Sequence, residues 1–558
     1  MTISSFDIFD TCIVRKCGAP RNLFDVLSYR VFSEKVSEED RIEFITQRIS
    51  SDDTSTFDHL YDTFNYSHPF LLARAEIKQK ELECEREMMV PVDEMLQKVN
   101  QCRENGDYIV FISDMYLPTD FLKDALSEFG FFKKDDSIYI SGDCGSKKAD
   151  GSLFEWIKEK EHVEYDHWQH YGDNMNSDVQ IPSELGIKTH YVNHQYLPFE
   201  QIWLDNSNDI TFHTGGIMAG IGRSLLLSLP YNEHNAFALD IAAPLMSTFA
   251  MRIMSDASAR GIKRLYFCSR DCYALFHVAQ KLTRINPSVE PIYFHTSRKA
   301  LYNTPKEELI SYLAHIGMAC NDGQVGIVDI RTSGNSLKYL NELFADHGFH
   351  PVYGYYLEMF CTDTYMDVFP YYCEVNKLYN TMFANHHPIL EKFLSLSPEG
   401  ETVGYKNNVP IIEPRKENED YHVCNIDSLT TVNLSILSKY SDFFVDTELY
   451  RYCDEVFCSF VIPTIKHFFK APDKKYLLSL RNLLVQREDG SYLPYVDEIP
   501  SGFSFKIAQI AQDSKVRIVR RLMKLIMRVS HIKPLPKEKW WPEGTEAYNN
   551  SSNSSFYE

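Results

Sequence analysis

A strand, a loop of small residues and a helix follow one another in segment 325–337 and could together hold a sugar phosphate. The strand is apolar and ends in an acid, Asp329. The loop residues after it are Thr332, Ser333, Gly334, Asn335 and Ser336. Their main-chain N–H groups can point into one concavity, Gly334 can take a positive φ, and the next helix adds its positive end. We expect Asp329 to face the sugar hydroxyls. An ordinary strand-to-helix turn is the alternative.

Two strand ends upstream carry groups that a reaction with a departing diphosphate requires. One predicted strand ends in a tight polar turn, Ser269, Arg270 and Asp271, at the start of a helix. Further along, a predicted strand brings Arg298 and Lys299 to the same edge of the sheet. Two cations there would neutralise the diphosphate as it leaves. Taken alone, the same pair also fits a solvated strand end.

In this order the three strand ends resemble the type I phosphoribosyltransferases. The resemblance implies that residues 332–336 bind phosphoribosyl pyrophosphate and that residues 269–271 form the pyrophosphate loop. It also implies that Asp329 contacts the ribose. The family places two acids before the Thr/Ser/Gly turn, but Val328 stands at the first of those positions here. The ribose contact would therefore depend on Asp329 alone.

A second set of polar residues lies at predicted strand ends in the first 180 residues. Asp7 ends the first strand, Ser113 ends a later apolar strand, and Lys148 lies at a helix start. Asp173 and Asp178 follow another strand. Strands that alternate with helices, with polar residues at their carboxyl ends, predict a parallel sheet with a site along one edge.

These four motifs resemble the haloacid dehalogenase (HAD) superfamily, whose members are mostly phosphatases, over about residues 1–200. The resemblance implies that Asp7 is the nucleophile and forms an aspartyl phosphate. Ser113 would hydrogen-bond the phosphoryl oxygens. Lys148, or alternatively Lys147, would steady the charge of the nucleophile and the phosphate. A carboxylate can attack a phosphate dianion only where a metal and a cation offset their repulsion.

The resemblance also implies a Mg²⁺ site formed by Asp7 and Asp173, with Asp178 close by. One position departs from the superfamily pattern. Its phosphatases usually place the general acid two residues after the nucleophile, where this chain has Phe9. Asp10 comes next, and we expect a loop adjustment to make it the acid/base. Alternatively Asp10 only caps the turn, and the domain is slow, dehalogenase-like or inactive.

The length of 558 residues is too great for one ordinary core. We predict an α/β protein with two Rossmann-like parallel-sheet domains and a mostly helical C-terminal region. Residues 1–200 would form the HAD-like domain, with a helical C1-type cap at about 18–105. Residues 209–420 would form the phosphoribosyltransferase-like domain. Residues 421–558 would be helical, with a basic amphipathic helix at 515–533 and a disordered tail.

Composition and charge narrow the function classes. The net charge of −21 argues against general nucleic-acid binding, because most of the surface would repel a phosphate backbone. The 13 cysteines have no paired metal spacing, which indicates reduced thiols in the cytoplasm. No apolar run approaches the roughly 20 residues that a bilayer requires.

The predicted helix at 515–533 opposes the acidic trend of the chain. Its cations Arg517, Arg521, Lys524 and Arg528 recur at helical spacing, opposite apolar residues. Such a helix could lie on an anionic membrane surface, which would place the protein at the inner face of the plasma membrane. Packing against its own acidic domain is the alternative.

A polar cluster at 383–414 could serve an acceptor molecule. Its members are Asn385, His386, His387, Glu391, Glu399 and Glu413. Adjacent histidines point in different directions on a helix or a strand, which disfavours a shared metal. We expect one of the histidines, or Glu391, to bind or activate an acceptor hydroxyl.

Together the two halves resemble bacterial polysaccharide-assembly proteins that join a phosphoribosyltransferase-like glycosyltransferase to a HAD-type phosphatase, over about residues 1–415. The resemblance implies that 5-phosphoribosyl passes from phosphoribosyl pyrophosphate to a glycan acceptor, which could be lipid-linked. The 5-phosphate is then removed, leaving ribofuranose. Two alternatives stay open. Val328 favours a stand-alone phosphatase whose second half only recognises substrate, and Phe9 with Val328 favours a non-catalytic scaffold.

Overall fold

The computed structural model describes most of the chain in two compact units. The described residues are 2–50, 56–206, 212–229, 235–321, 323–359, 397–414 and 426–477, with 484–486, 492–494, 506–508, 511, 517–530 and 545. The first unit comprises Met1–Tyr231 and Phe443–Tyr452. The second comprises Asn232–Asp442 and Cys453–Glu558. The predictions for His386, His387, Glu391 and the C-terminal tail concern residues outside the described ranges.

The first unit contains a five-stranded parallel sheet and a separate pair of antiparallel strands. Its strands are β1 (Ile3–Asp7), β2 (Ile13–Arg15), β3 (Met89–Pro91), β4 (Tyr108–Ser113), β5 (Ser137–Ile140), β6 (Trp168–Gly172) and β7 (Lys188–Tyr191). The sheet order is β5-β4-β1-β6-β7. Every residue of the central strand β1 is buried. Parallel pairing collects the carboxyl ends of β1, β4 and β6 at one edge, where the predicted site residues lie.

The paired strands β2 and β3 lie before and after the cap in the sequence. Between these antiparallel strands lie the helices Pro20–Leu27, Glu38–Ser50, Phe57–Thr63 and Arg74–Met88. The next helix, Asp93–Glu104, contacts β4 of the main sheet. The cap helices therefore end at residue 88, and the predicted end near 105 takes in a helix that packs on the core sheet.

A buried ion pair holds the cap helices together. Arg48 and Glu81 come from different helices, their side chains are fully buried, and they share two hydrogen bonds of 2.8 and 2.5 Å. The Tyr61 hydroxyl donates a third hydrogen bond to Glu81. Arg48 Nη1 is buried without a hydrogen-bond partner in the described part of the chain, and the guanidinium carbon lies 4.9 Å from the centre of the Phe24 ring. Because a buried charge needs its counter-charge, the Arg48–Glu81–Tyr61 triad sets how the cap helices pack.

The first unit extends past the predicted boundary at residue 200. Its other helices include Thr119–Glu128, Ser141–Cys144, Ser152–Glu161, Met175–Gln180, Ile181–Glu184, Pro198–Asp205 and Thr214–Ser228. Helix Thr214–Ser228 packs against β2 and β3. A Cβ at Gly220 would lie 2.2 Å from the main-chain nitrogen of Gly18, so glycine is required for this close approach.

A second parallel sheet organises the other unit. Its strands are β8 (Arg264–Cys268), β9 (Glu290–Phe294), β10 (Val325–Thr332) and β11 (Val352–Met359). Their order in the sheet is β11-β10-β8-β9. The direction of winding reverses between β8 and β10, and ligands of open α/β sheets bind at such a switch point. The predicted α/β class with two parallel sheets is confirmed.

Two antiparallel pairs complete the described strands. They are β12 (Thr402–Lys406) with β13 (Val409–Ile412), and β14 (Leu484–Gln486) with β15 (Tyr492–Pro494). The helices after residue 231 include Asn235–Phe237, Ala243–Ala259, Tyr273–Leu282, Arg298–Asn303, Lys306–His315, Asn335–Asp346, Ile426–Asp446, Val456–Val461, Ile462–Lys470, Lys474–Leu477 and Arg517–Val529.

The long apolar helical stretch Asn235–Ala259 forms part of the core of the second unit. By length and composition it could cross a membrane, unlike our expectation from the sequence, but 94% of its most apolar window is buried within the protein. Segment Val456–Val461 packs against it, and the Cys453 thiol donates to the Thr248 carbonyl at 3.2 Å. Residues 453–461 of the region predicted at 421–558 therefore pack on a core helix of the second unit, whereas Phe443–Tyr452 belong to the first unit.

Candidate functional site

A cleft of about 660 Å³ opens at the carboxyl edge of the first sheet. All six residues that the sequence assigned to this site line it: Asp7, Asp10, Ser113, Lys148, Asp173 and Asp178. They come from four chain segments that are far apart in sequence and meet because β1, β4 and β6 are adjacent. The cleft therefore has the shape and the polar lining of a ligand-binding site.

Lys148 lies at the centre of the charged groups. Its Nζ is 2.5 Å from Asp7 Oδ1 and 2.6 Å from Asp178 Oδ1, and the side chain is only 3% exposed. The backbone N–H groups of Lys148 and Ala149 donate to the carboxylate of Asp114 and fix this loop. Of the two lysines the sequence allowed, Lys148 and not Lys147 bridges the carboxylates. The role of Asp114 was not predicted.

Three carboxylates form a group that could hold a metal ion. One ligand oxygen from each of Asp7, Asp173 and Asp178 lies within 4.8 Å of the other two. An all-oxygen, anionic set is what Mg²⁺ prefers, at metal–oxygen distances of about 2.0–2.1 Å. A Cβ at Gly172 would lie 2.4 Å from Asp178 Cγ, so only glycine lets this carboxylate fold back against the strand end. The residues present therefore fit a hard divalent cation.

The three carboxylates carry more negative charge than the Lys148 ammonium offsets. Burial raises the pKa of Asp7 well above its usual range, Asp178 and Asp173 act in the same direction, and Lys148 opposes them. Burial, followed by the neighbouring Asp10 and Asp178, raises the pKa of Asp173 to about 6. A single ammonium does not balance three carboxylates, and a divalent cation would favour their ionised forms.

A buried histidine that was not predicted as a site residue orients Asp178. His170 is fully buried on β6, with Nε2 3.3 Å from Asp178 Oδ1 and Nδ1 2.7 Å from the Ser5 hydroxyl. Burial lowers its pKa and so favours the neutral ring. Although burial alone would raise the pKa of Asp178, its hydrogen bond to His170 and the charge of Lys148 hold that pKa below its usual range. A histidine inside a strand usually only packs in the core, which is why its position was uninformative.

The general-acid candidate lies on the cleft wall in an unusual backbone conformation. Asp10 has φ 55, and its Oδ1 is 3.4 Å from the guanidinium of Arg223. Arg223 also donates to the Tyr196 hydroxyl at 3.0 Å. Phe9, at the position of the usual acid, lies with its ring centre 4.0 Å from the guanidinium carbon of Arg15. Left-handed backbone at Asp10 is thus the local adjustment that puts this carboxylate on the cleft.

The opposite wall of the cleft comes from the cap and from the β2–β3 pair. Arg15 of β2 and Glu85 of the cap helix form a bidentate pair with both distances 2.9 Å. Phe24 and Tyr116 add aromatic surface. The Tyr116 hydroxyl also donates to Glu81 of the cap at 3.2 Å. A molecule that reached Asp7 would therefore contact a mixed aromatic and charged surface.

In the second unit, the predicted pyrophosphate loop is tied to the end of β9. The Ser269 hydroxyl donates to the Thr296 carbonyl at 2.9 Å, and the Arg270 N–H donates to the Tyr293 hydroxyl at 2.9 Å. Arg270 has φ 67, a left-handed conformation in a non-glycine residue. Asp271 follows it, before helix Tyr273–Leu282. This turn is held by defined contacts on one side of β8.

The predicted sugar-phosphate loop lies after β10, on the other side of β8. Gly334 has φ 80, as expected, and Asn335 and Ser336 begin a helix. The strand continues to Thr332, because pairing with β11 extends to Thr332 and Met359. Asp329 therefore lies within the strand and not at its tip. Only Ser333 and Gly334 form the turn, in which the Gly334 N–H donates to the Thr332 hydroxyl at 3.1 Å.

Asp329 and its neighbour Val328 lie next to the 269–272 turn. Burial, followed by the charge of Asp329, raises the pKa of both Cys268 and Cys272. The Cys272 thiol donates to the Val328 carbonyl at 3.3 Å. The turn at 269–272 and the acid of β10 are thus brought together at the switch point of the sheet.

The two cations after β9 differ from the prediction. The strand ends at Phe294, and Arg298 and Lys299 open a short helix whose N-cap is Ser297. Both side chains are exposed. Lys299 lies 3.4 Å from Glu413. The hydroxyl of Ser297 accepts the Ala300 N–H at 2.9 Å, and this cap ends the extended backbone that the sequence suggested.

Comparisons with known proteins found no matching family model and no matching curated protein. Solved structures are similar over about a third of the chain. A HAD phosphatase of Thermococcus onnurineus is 17% identical with a TM-score of 0.27, over 35% of this chain and 87% of that chain. A HAD family enzyme of Bacteroides thetaiotaomicron, in complex with magnesium and inorganic phosphate, is 14% identical with a TM-score of 0.25, over 35% and 94%. A HAD-hydrolase of Bacillus subtilis bound to magnesium is 15% identical with a TM-score of 0.27, over 35% and 89%. TM-scores this low support no functional inference, so the chemistry of the site is inferred from its geometry.

Proposed function

We propose that the first unit is a Mg²⁺-dependent phosphatase of the HAD type that acts on a phosphate monoester. The observation that carries this proposal is the buried Lys148 ammonium bridging Asp7 and Asp178 beside a third carboxylate, Asp173. A nucleophilic carboxylate, a cation and an acidic metal site are the parts that attack on a phosphate dianion requires.

The side chains of the cleft would divide the reaction into two steps. Asp7 attacks phosphorus, the bond to the leaving oxygen breaks, and Asp10 donates a proton to that oxygen. Ser113 donates a hydrogen bond to a phosphoryl oxygen, and Lys148 offsets the negative charge. Water then attacks the aspartyl phosphate, returning its proton to Asp10 and releasing phosphate.

Asp7, Asp173 and Asp178 would hold the Mg²⁺ ion. When bound, it supplies the positive charge that draws the phosphate to the Asp7 carboxylate. Without the metal, the raised pKa of Asp7 favours a protonated carboxyl, which cannot act as a nucleophile.

The test compares hydrolysis of p-nitrophenyl phosphate and ribose 5-phosphate with and without Mg²⁺. Asp7→Asn should abolish phosphate release, and chelation of the metal should have the same effect on the unaltered protein. Asp166→Asn changes an exposed acid outside the cleft and serves as the matched control. Full activity of Asp7→Asn would refute the proposal.

We propose further that the second unit transfers 5-phosphoribosyl from phosphoribosyl pyrophosphate to a glycan acceptor. Support comes from the switch point between β8 and β10, where Asp329 adjoins the 269–272 turn and Gly334 precedes a helix start. The transferred group carries a 5-phosphate, a monoester of the kind the first unit would hydrolyse. The chain would then be a bifunctional ribofuranosyltransferase of surface polysaccharide synthesis.

Calorimetric titration with phosphoribosyl pyrophosphate and Mg²⁺ tests the second activity independently of the first. The unaltered protein should bind it and release diphosphate when a glycan acceptor is added. Absence of binding, with phosphatase activity intact, would favour the alternative of a stand-alone phosphatase with a non-catalytic recognition unit. Absence of both activities would favour a scaffold.

A peripheral membrane site would suit a lipid-linked acceptor, and we propose helix Arg517–Val529 for it. Leu522 and Leu525 are 51% and 58% exposed, next to the exposed cations Arg521 and Lys524. The helix meanwhile buries Met527 in a small cluster of its own unit. Exposed leucines beside cations are what an anionic lipid surface binds, because it offers both an apolar interior and negative headgroups.

A further inference from the structure

Beside the 269–272 turn, on the side of β8 away from β10, several buried polar atoms have no hydrogen-bond partner within the described ranges. They are His295 Nδ1, Thr296 Oγ1, Glu399 Oε2 and Thr402 Oγ1. Buried polar atoms are nearly always bonded in folded proteins. Two of these atoms, His295 Nδ1 and Glu399 Oε2, face each other, and such a concentration of buried polar atoms points to a site and not to ordinary packing.

His295 and Glu399 form a pair within this cluster. His295 Nδ1 lies 3.5 Å from Glu399 Oε2, and neither atom is reached by solvent. The imidazole as a whole is 27% exposed, and no hydrogen bond to its Nε2 is found among the residues that the structure describes. The ring thus turns one buried nitrogen towards a carboxylate while part of its surface stays exposed, which is the arrangement of a histidine base oriented by an acid.

Neighbouring groups fix this histidine next to the candidate pyrophosphate loop. Its carbonyl accepts the Tyr405 hydroxyl at 3.0 Å, and its ring lies edge-on to Tyr293 at 5.0 Å between centres. Tyr293 in turn accepts the Arg270 N–H. The following residue, Thr296, accepts the Ser269 hydroxyl through its carbonyl. His295 is therefore adjacent in sequence to Thr296, which contacts the loop that would bind the leaving diphosphate.

We propose that His295 is the general base that takes the proton of the acceptor hydroxyl, with Glu399 as its positioning residue. This inference rests on the proposed phosphoribosyl transfer. The acceptor O–H proton passes to His295 Nε2 as the oxygen forms its bond to C1. The bond from C1 to the diphosphate oxygen breaks, and diphosphate leaves with that electron pair. Glu399 accepts the Nδ1–H hydrogen bond and stabilises the imidazolium that forms.

The substrate class follows from the same geometry. A neutral imidazole activates a hydroxyl, whereas an amine acceptor would not need a base to lower its barrier to the same degree. The Thr402 hydroxyl, which has no hydrogen-bond partner among the described residues, would donate to or accept from a further hydroxyl of the same molecule. The site thus fits a polyhydroxylated acceptor, a sugar residue, beside the 269–272 turn.

The experiment measures diphosphate release from phosphoribosyl pyrophosphate with a set of methyl glycosides as acceptors. His295→Asn should lower kcat by a factor of about 10²–10⁴ and remove the acidic limb of the pH–rate profile. Glu399→Gln should lower kcat less, because it leaves the base in place and loses only its orientation. His315→Asn changes an exposed histidine of a surface helix and should act like the unaltered protein.

Affinity for phosphoribosyl pyrophosphate, measured by calorimetry, separates the possible failures. Unchanged affinity in His295→Asn together with a lost rate supports the base. Unchanged affinity together with an unchanged rate overturns the role of His295 and leaves the transferase proposal standing. If the unaltered protein neither binds phosphoribosyl pyrophosphate nor releases diphosphate, the transfer itself is refuted, and the base with it.

Discussion

Replacing Lys148 by methionine is the sharpest test of the first site. The ammonium contacts two carboxylates at 2.5 and 2.6 Å, and all three side chains are at least nine-tenths buried. Removing one partner of a buried ion pair costs about 3–5 kcal/mol, because the remaining charge has no compensation. Here Asp178 loses its counter-charge, and Asp7 loses a hydrogen-bond donor. We expect Lys148→Met to lose about 3–5 kcal/mol of unfolding free energy at neutral pH and all phosphatase activity.

The loss should depend on pH in a defined direction. Burial already raises the pKa of Asp7, and removal of Lys148 raises it further. An acid whose pKa is higher in the folded state contributes stability at low pH and loses it as pH rises through the folded-state value. Urea unfolding of Lys148→Met should therefore show a deficit that grows from mildly acidic to mildly alkaline pH.

Added Mg²⁺ should reverse part of the deficit, because a dication restores the lost positive charge. At about 100 times its dissociation constant a ligand stabilises the folded state by about 2.7 kcal/mol. Lys147→Met is the matched control. Its half-buried side chain also lines the cleft, but the neighbouring Lys148 makes the contacts with the carboxylates, so a change within about 0.5 kcal/mol is expected. Equal effects of the two substitutions would refute this account of the site.

Three further outcomes are expected. Burial raises the pKa of Asp240 from 3.8 to about 7, so its carboxyl stabilises the fold at low pH and loses about 4 kcal/mol as pH rises through that value. Asp240→Asn should therefore gain thermal stability over the unaltered protein above about pH 7, and an equal Tm difference at all pH values would contradict this. Asp329→Asn should weaken binding of phosphoribosyl pyrophosphate at least about tenfold, since a charge-assisted hydrogen bond is worth about 1.5–3 kcal/mol. Its phosphatase rate should be unchanged, and tight binding by the variant in calorimetry would exclude the ribose contact. Joint replacement of Leu522 and Leu525 by serine should reduce cosedimentation with anionic vesicles. Equal sedimentation with zwitterionic vesicles would argue against a charged lipid surface.

Much of the first site follows from sequence because a parallel sheet places the carboxyl ends of its strands together. Asp7, Ser113 and Asp178 each end or follow a strand, so their meeting in one cleft needs only the strand order. The choice between Lys147 and Lys148 depends on side-chain direction in the loop before helix Ser152–Glu161, which the sequence does not define. The role of His170 depends on its contact with Asp178, which is eight residues away in sequence and returns to the strand through a turn.

The second unit was harder to predict because its pairing and caps depend on residues distant in sequence. The partner strand β11 extends β10 to Thr332, which places Asp329 inside the strand. Ser297 caps a helix where an extended strand end was expected. His295 was not singled out, because its partner Glu399 is more than a hundred residues away. The helix Thr214–Ser228 likewise joined the first unit through a glycine contact that no local pattern indicates.

The size of the first cleft bears on which phosphate ester it would take. A volume of about 660 Å³ is within the range of sites that enclose organic ligands and is far more than one phosphate requires. Phe24 and Tyr116 offer flat apolar surface, and the Arg15–Glu85 pair offers a fixed charged edge. Aromatic faces with bidentate polar groups suit the two kinds of surface on a sugar ring, its C–H face and its hydroxyl edge. A phosphate carried by a ribofuranosyl unit would use both walls, whereas inorganic pyrophosphate or an acyl phosphate would leave them empty. Replacement of Phe24 by alanine should therefore raise KM for ribose 5-phosphate more than for acetyl phosphate, and equal changes would remove the argument for a sugar.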